Sequence, residues 1–530
     1  MHDLVVLSLL AIVVAVLLAR ALATRTGIPA AVPLVLLGAA ASFVPVLQGL
    51  HISPELVLTI FLPPLVYRAA FFTAPREARA DAVPISALAI GLTLATTAAA
   101  ASAVYFFFTE IGWPAAFAFG AAVAPTDAVA ATAVLQRLGA PRRIVTILEG
   151  ESLINDGVAL TVFALAVEAM SHTLTLGEGL GRLALVVIGG IGYGLIVGVV
   201  IGKVQRHARE PGLQLLLSVI TPFVAYLPAE TLDFSGILAT VVAGFYLGVR
   251  TEGMLPASVR LTGNTFWQVL VLLLESALFV LLGLQIVDVI EAVSGYSTGR
   301  LAAAAVLVIA VVIGLRLLWE LVISPLMRYL PPRPLDFAHI PWRERVVIGW
   351  GGMRGAISLA IALSLPISVD GRSVAERSVL IFLAAAVVLA TLIGQSATLP
   401  TLLRALGLGA GDTGELELTR ARQSAMEAAM DRLNELEAAD RLDASTAEVF
   451  RQLIQLRLDR VRSVLEAADD PDPDAEPDRP GTGWVRREMI RAQRERTRLL
   501  YRKGKIGVET FRAIQHELDL EEPHRLPGTP

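Results

Sequence analysis

The sequence contains no cysteine and little charge. The lack of cysteine among 530 residues excludes disulfide bonds, thiol catalysis, thiolate zinc sites and iron–sulfur clusters. Charged residues make up 17% of the chain, whereas 55% is hydrophobic and the mean hydropathy is +0.65. The net charge of -4 gives no basic field of the kind that binds nucleic acid. This composition excludes an ordinary chain of soluble domains and indicates a membrane protein.

Sequence motifs of common enzymes are also missing. The chain has neither an HExxH nor a GxxxxGK[ST] motif, which are typical of metalloproteases and nucleotide hydrolases. No pairing of a nucleophile with a base is visible. The sequence therefore predicts a protein that is not an enzyme and needs no cofactor.

Residues 1–405 contain thirteen apolar segments, each close to the length that crosses a bilayer as a helix. In chain order they run approximately over 4–23, 28–45, 54–73, 82–108, 113–136, 143–170, 183–203, 211–228, 234–250, 265–290, 300–327, 343–368 and 378–404. The clearest lies in 82–109, a run of twenty-eight residues without a charge. Three of the segments are short, so twelve crossings is the alternative to thirteen. We predict an all-α transmembrane domain over 1–405.

The distribution of lysine and arginine predicts how these helices are oriented. With the amino terminus outside, sixteen basic residues fall in cytoplasmic connections and four in external ones. Because positive loops stay in the cytoplasm, we predict a multi-pass protein of the plasma (inner) membrane with an external amino terminus and a cytoplasmic carboxyl terminus.

Residues 406–530 differ in composition and carry 45 of the 92 charged residues. They predict a cytoplasmic helical domain, with a helical pattern over 415–468 and an acidic, proline-rich linker over 469–483. A role in regulation or assembly and the binding of an unidentified small regulator both remain open for this tail.

Ionisable residues within apolar segments mark candidate functional sites, because their burial in a bilayer is costly. Asp127 follows Pro125, which interrupts a helix and leaves carbonyl oxygens free. Ser152, Asn155 and Asp156 share one face of the next helix. Together these groups predict an all-oxygen site at which a hard cation and a proton compete. The alternative is that Asp127 and Asp156 only pair with arginines in helix packing.

Two further patterns concern the second half of the domain. If the halves are inverted repeats, the segment with Asp127 corresponds to a glycine-rich segment around Arg354, where a second interruption is expected. Glu275 and Arg316 lie on neighbouring segments and predict a buried ion pair.

Four motifs resemble the monovalent cation:proton antiporter family 1, the sodium/proton exchangers. These are FLPPLVY (61–67), APTDAVA (124–130), EGESLINDG (149–157) and GWGGMRGAISLA (349–360). The resemblance spans essentially the whole membrane region. It implies thirteen helices in two inverted six-helix repeats, interrupted helices that cross, and a homodimer.

The resemblance also implies the roles of individual residues. Asp156 would be the carboxylate that carries the ion, and the residues completing the site would be Asp127, Ser152, Asn155 and the backbone of Thr126. Glu151 would pair with Arg354. Two positions depart from the family pattern: Arg68 lies where a glutamate is common, and Ala128 lies where proline is usual.

The sequence thus predicts a secondary transporter that exchanges Na⁺, with Li⁺ or K⁺ as alternatives, for H⁺ with one-to-one stoichiometry. A K⁺-selective exchanger, an organic-ion carrier, and a cation channel or receptor with a signal-reading tail are the competing interpretations.

Overall fold

A computed structural model describes most of the chain. The described residues are 16–23, 29–43, 54–72, 81–171, 176–208, 210–251, 257–327, 340–369, 372–374, 376–408, 413–469 and 483–503, with a few single positions outside these ranges. The chain divides into two compact units, Met1–Gly411 and Asp412–Pro530.

The first unit is built almost entirely of helices. Residues 16–23 are helical. The helices that follow are α1 (Ala31–Ala41), α2 (Val57–Phe71), α3 (Ala82–Phe107), α4 (Trp113–Val123), α5 (Ala128–Arg137), α6 (Arg142–Ser171), α7 (Leu176–His207), α8 (Pro211–Thr231), α9 (Gly236–Thr251), α10 (Ala257–Ala292), α11 (Thr298–Leu326), α12 (Trp342–Trp350), α13 (Ala356–Leu363) and α14 (Arg377–Leu406). Two short strands, β1 (Ser368–Val369) and β2 (Arg372–Ser373), pair antiparallel between α13 and α14.

The helices match the apolar segments of the sequence. Every one of the thirteen predicted segments overlaps helical residues in the described part of the chain. Among the described residues, seven helices are long and apolar enough to cross a membrane, and four shorter ones are also apolar. Large apolar side chains on α7, such as Ile188 and Ile196, are exposed. Exposed apolar side chains on such a helix are suited to contact with lipid.

Two of the predicted segments are interrupted, as the sequence predicted. The fifth segment forms α4 and α5, with residues 124–127 outside the helices. The twelfth forms α12 and α13, with residues 351–355 between them. Proline in the first break and glycines in the second account for these positions, because neither residue type favours a continuous helix.

The core of the unit surrounds these interruptions. α6 packs against α4, and α14 packs against α13 and α5. Alanine, leucine and valine fill most of the buried positions. Small side chains allow the helices to approach closely, so the polar residues of the breaks are enclosed by neighbouring helices.

The second unit contains α15 (Thr413–Ala438), α16 (Ala444–Asp469) and α17 (Gly483–Arg502). The helical pattern predicted over 415–468 corresponds to α15 and α16, with a turn of the chain between them. Asp440 has a φ of 52°, which ends a helical run. α15 and α16 pack together and are bridged by Arg451 and Glu437. Most of the predicted linker, residues 470–482, lies outside the described residues.

Candidate functional site

The two helix interruptions contact each other directly. The backbone N–H of Asp127 donates to the carbonyl oxygen of Met353 at 2.6 Å. The hydroxyl of Ser358 donates to the carbonyl oxygen of Pro125 at 3.2 Å. The second break and α13 therefore supply partners for backbone groups that the first break leaves without helical partners, which is how a membrane protein tolerates irregular backbone.

Two buried arginines donate hydrogen bonds to the carbonyl oxygens at the ends of α4 and α12. Nε of Arg354 donates to Val123 O, at the end of α4, at 3.0 Å. Arg316, on α11, donates from Nη2 to Ile348 O and from Nε to Gly349 O, each at 3.1 Å, at the end of α12. A guanidinium has several donors and a positive charge, and both suit the negative end of a helix dipole.

Asp127 lies where two helices begin. It directly precedes α5, and its carboxylate packs against Gly355, the residue that precedes α13. A Cβ atom on Gly355 would overlap this carboxylate, so the site requires glycine there. Free N–H groups and the helix dipole stabilise negative charge at a helix amino terminus. Asp127 lies beside two such termini.

α6 presents its polar face to the first interruption. The Ser152 hydroxyl donates to the carbonyl oxygen of Thr126 at 2.7 Å. Nδ2 of Asn155 donates to Thr126 Oγ1, also at 2.7 Å. Thr126 Oγ1 lies 3.3 Å from Glu151 Oε1 and donates to it. The spacing predicted that Ser152, Asn155 and Asp156 share one face, and these contacts place that face against the break before α5.

A cavity of about 60 Å³ lies beside these groups. That volume holds a few water molecules or a partly hydrated small cation. Four of the five predicted site residues line it: Thr126, Asp127, Ser152 and Asp156. Asp156 is 2% exposed, and its Oδ1 has no hydrogen-bond partner among the described residues. A buried carboxylate oxygen without a donor is available to a cation or a proton.

Asn155 is not among the residues that line the cavity. It is fully buried, and its amide Nδ2 donates a hydrogen bond to Oγ1 of Thr126. The structure therefore gives Asn155 a supporting position, with Ser152 and Asp156 on the cavity side.

The predicted pairing of Glu151 with Arg354 is not the one in the structure. Glu151 pairs with Arg316, whose Nη2 donates to Glu151 Oε2 at 2.7 Å, and both residues are about 1% exposed. Arg354 donates instead to the carbonyl oxygens of Val123 and Gly352. The expected pairing of Glu275 with Arg316 is absent from the described contacts as well, because Arg316 is engaged by Glu151.

Gly352 leaves room for the side chain of Arg316, which pairs with Glu151. A Cβ atom on Gly352 would overlap the guanidinium of Arg316, so this glycine leaves a channel for that side chain. The glycine-rich pattern signalled an interruption but gave no indication that a side chain from another helix fills the space.

The two departures from the family pattern have different outcomes. Ala128 begins α5, and the interruption is formed by the residues before it, so no proline is needed at 128. Arg68 lines the cavity with the two aspartates, and so does Glu275 from α10. Sequence reasoning gave neither residue a place in the site, because nothing in the spacing brings α2 and α10 together.

Comparison with known proteins gives a consistent result. The family model for the transmembrane part of sodium/hydrogen exchangers matches residues 12–405. An uncharacterised Na⁺/H⁺ exchanger from Mycobacterium tuberculosis is 32% identical over 524 residues, which is 97% of this chain and 95% of the relative. A sodium, potassium, lithium and rubidium/H⁺ antiporter from Bacillus pumilus is 30% identical over 440 residues, 80% of this chain and 65% of the relative.

The fold also matches a solved structure. The sodium proton antiporter MjNhaP1 from Methanocaldococcus jannaschii superimposes with a TM-score of 0.61 at 21% identity. The match covers 77% of this chain and 99% of the antiporter. At this identity the likeness concerns the fold alone.

Proposed function

The chain belongs to the sodium/hydrogen exchanger family, and we propose that it exchanges Na⁺ for H⁺ by alternating access, with Asp156 binding the two ions in turn. The members of this family are multi-pass membrane transporters. The specific cation, the stoichiometry and the residue roles below are the parts of this function that we propose.

The observation that carries the proposal is the carboxylate oxygen of Asp156, which has no hydrogen-bond partner among the described residues and lies in a cavity that Thr126, Asp127 and Ser152 also line. Alkali cations are hard ions that prefer carboxylate, hydroxyl and carbonyl oxygens. A site with one such carboxylate binds either the cation or the proton, because both require the same oxygen. That competition couples the release of one ion to the uptake of the other.

The remaining residues of the site have distinct proposed roles. Asp127 supplies a second carboxylate beside the breaks. Ser152 and Thr126 contribute hydroxyl and carbonyl oxygens to the cavity wall, and Asn155 holds Thr126 in place. Glu151 and Arg316 form the structural ion pair that fixes α6 against α11 and α12.

The architecture proposed for the membrane unit is that of the sequence analysis: thirteen crossings, two inverted six-helix repeats and a homodimer. Support for the repeats comes from the two interrupted helices, α4/α5 and α12/α13, which lie at corresponding positions of the two halves. We place the amino terminus outside and the carboxyl terminus in the cytoplasm of the plasma (inner) membrane, where Na⁺ extrusion would serve pH homeostasis. The tail would act in regulation or assembly.

Exchange of K⁺ is the second candidate function. It is favoured by the similarity to the Bacillus pumilus antiporter, whose name includes potassium, lithium and rubidium. The cavity gives no reason to exclude the larger ion, since its oxygen ligands suit every alkali cation. Selectivity is therefore the first property to measure.

Everted membrane vesicles test both candidates. A pH gradient is formed by respiration and followed with a fluorescent dye, and NaCl, LiCl or KCl is then added. Dequenching on addition of NaCl supports Na⁺/H⁺ exchange, and dequenching with KCl alone supports the second candidate. Cation flux without proton movement would indicate a channel and would contradict antiport.

A further inference from the structure

The four charged residues of the cavity come from four parts of the fold: the break before α5, α6, α10 and α2. Two aspartates, Asp127 and Asp156, face a third carboxylate, Glu275 on α10, and one arginine, Arg68 on α2. Glu275 interacts electrostatically with Asp127 and, with opposite sign, with Arg68 and Arg20. If all four groups that line the cavity are ionised, the cavity carries a net charge of -2.

Glu275 reaches the cavity because of its place on α10. Trp267, Val271 and Glu275 are spaced at i, i+4 and i+8, so they share one face of that helix. Val271 and Glu275 both line the cavity, and the ring of Trp267 lies 5.3 Å from that of Tyr67 on α2. The indole N–H of Trp267 donates to Ser218 Oγ at 3.0 Å, which fixes the ring. This face of α10 is therefore held against α2.

Arg68 directly follows Tyr67 on α2, and Leu65, Arg68 and Ala69 all line the cavity. The Nε atom of Arg68 is buried and has no hydrogen-bond partner among the described residues. A cationic side chain in this position opposes the entry of a positively charged ion. A carboxylate on the same cavity wall offsets that opposition.

We propose that Glu275 is a third carboxylate of the cation cavity, and that it offsets the charge of Arg68 and so sets the apparent affinity for the transported cation. The proposal rests on the antiport function proposed above. It accounts for the arginine at position 68 of α2, where the family commonly has a glutamate. In this chain the carboxylate is supplied by Glu275 on α10.

The proposal predicts effects of opposite sign for the two residues. Glu275→Gln leaves Arg68 uncompensated and lowers the negative charge of the cavity by one unit. Arg68→Gln raises it by one unit. A unit charge within about 10 Å, at an effective dielectric constant of about 20, changes a binding constant on the order of tenfold.

The test measures exchange in everted vesicles containing the full-length protein, as a function of Na⁺ concentration at alkaline pH, where competition by protons is smallest. We expect the KM for Na⁺ to rise on the order of tenfold for Glu275→Gln and to fall for Arg68→Gln. The double variant restores the net charge, so its KM is expected between those of the two single variants. The maximal rate should change less than KM.

Conservative variants separate charge from packing. Arg68→Lys and Glu275→Asp keep the charge at each position. Their KM for Na⁺ is therefore expected to be closer to that of the wild type than the KM of the neutral variants. The exposed pair of Glu110 and Arg300 offers a matched control, since Glu110→Gln and Arg300→Gln change the same charges away from the cavity.

The outcomes are distinguishable from one another. Shifts of KM in the same direction for Glu275→Gln and Arg68→Gln, or an unchanged KM in both, would overturn the proposal while leaving antiport intact. A wild-type protein that exchanges no alkali cation for protons would instead overturn the function on which it rests. If the neutral variants fail to insert, the double variant Arg68→Glu with Glu275→Arg replaces them. This variant exchanges the two charges and preserves the net charge of the cavity, so we expect it to bind Na⁺. Loss of Na⁺ binding in this variant, with an unchanged KM in Glu275→Asp and Arg68→Lys, would contradict the proposal.

Discussion

Arg316 and Arg354 each hold the carbonyl end of one interrupted helix, Arg316 at α12 and Arg354 at α4. Carbonyl groups that lose their helical partners within a membrane need donors from neighbouring helices. Only Arg316 also pairs with a carboxylate, that of Glu151 on α6. The pair thus ties α6 to the second interruption, and α6 carries the carboxylate that we assign to ion binding.

The first prediction concerns this ion pair. Removing one partner of a buried pair leaves an uncompensated charge, so Glu151→Gln and Arg316→Met should each destabilise the protein by about 3–5 kcal/mol. The loss should be larger for Arg316→Met, because the carbonyls of Ile348 and Gly349 also lose their donor. The melting temperature in detergent measures both effects.

Comparison of single and double variants tests the contact itself. A double variant that is no less stable than Arg316→Met alone would support direct pairing, whereas fully additive losses would contradict it. The same analysis of Glu151 with Arg354 should give additive losses, since these two residues are not paired in the structure. The exposed pair of Glu110 and Arg300, at 3.5 Å, should give only a small change in melting temperature.

The second prediction concerns Gly355. An alanine there would overlap the carboxylate of Asp127, so Gly355→Ala should displace that side chain and strongly reduce exchange. Gly394→Ala, within α14, is the matched control, because its added methyl group meets no atom within 4 Å. Alanine favours a helix over glycine by up to about 1 kcal/mol, so the control should keep activity and gain slightly in stability. Equal activity of the two variants would contradict the close contact.

The third prediction concerns the proposed ion carrier. Asp156→Asn keeps the size of the side chain but removes its charge and its titration, so exchange should fall to background while the protein still inserts. Asp233→Asn is a matched control on the surface, where φ is 59° and asparagine adopts that conformation as readily as aspartate. Wild-type exchange rates in Asp156→Asn would show that another group carries the ion.

The sequence predicted the parts of this site that depend on local order. The interruptions at Pro125 and around Arg354, and the shared face of Ser152, Asn155 and Asp156, follow from residue types and helical spacing. The partner of Glu151 does not follow from spacing. Arg316 and Arg354 are both buried arginines on neighbouring segments, and the contact of Arg316 with Gly352 is a tertiary one that the sequence pattern does not reveal.

The place of Glu275 was also beyond local reasoning. Its assignment to Arg316 came from the adjacency of two segments in the chain, but Glu275 faces α2 because Trp267, two turns earlier, packs against Tyr67. Which face of an apolar helix meets which neighbour depends on contacts between residues about 200 positions apart. Such contacts cannot be predicted from the sequence of a helix that is apolar on all sides.

The fourth prediction concerns the tail, where Asp443 caps α16. Hydrogen bonds from the Ser445 hydroxyl and from the N–H of Thr446 lower the pKa of Asp443 from its ordinary 3.8 to about 2. Because the pKa is depressed in the folded state, the cap stabilises the helix fully above pH 3.8, and this stabilisation is lost as the pH falls towards 2. The loss of the cap is measured by amide hydrogen exchange in the first turn of α16. Exchange should be faster in Asp443→Ala, which removes the cap, and unchanged in Asp443→Asn, since asparagine also caps.

The last prediction concerns stoichiometry, which depends on whether Asp127 titrates along with Asp156. Both carboxylates line the cavity, but their surroundings differ. Asp127 lies at the amino termini of α5 and α13, where two helix dipoles stabilise its negative charge, each by about 0.3–1 kcal/mol or more when partly buried.

Asp156 lies near the middle of α6 and not at an end of that helix, and its Oδ1 accepts no hydrogen bond from the described residues. We therefore expect its charged form to depend on a bound cation, and we expect it to take up a proton when the cation leaves. Since Asn155 cannot take a proton, one proton is expected to move for each Na⁺. In liposomes, exchange should proceed at a rate unaffected by an imposed membrane potential and should reverse where the sodium and proton gradients are equal. A potential-dependent rate, with reversal at two protons per sodium, would show that Asp127 is protonated during the cycle despite the two helix termini.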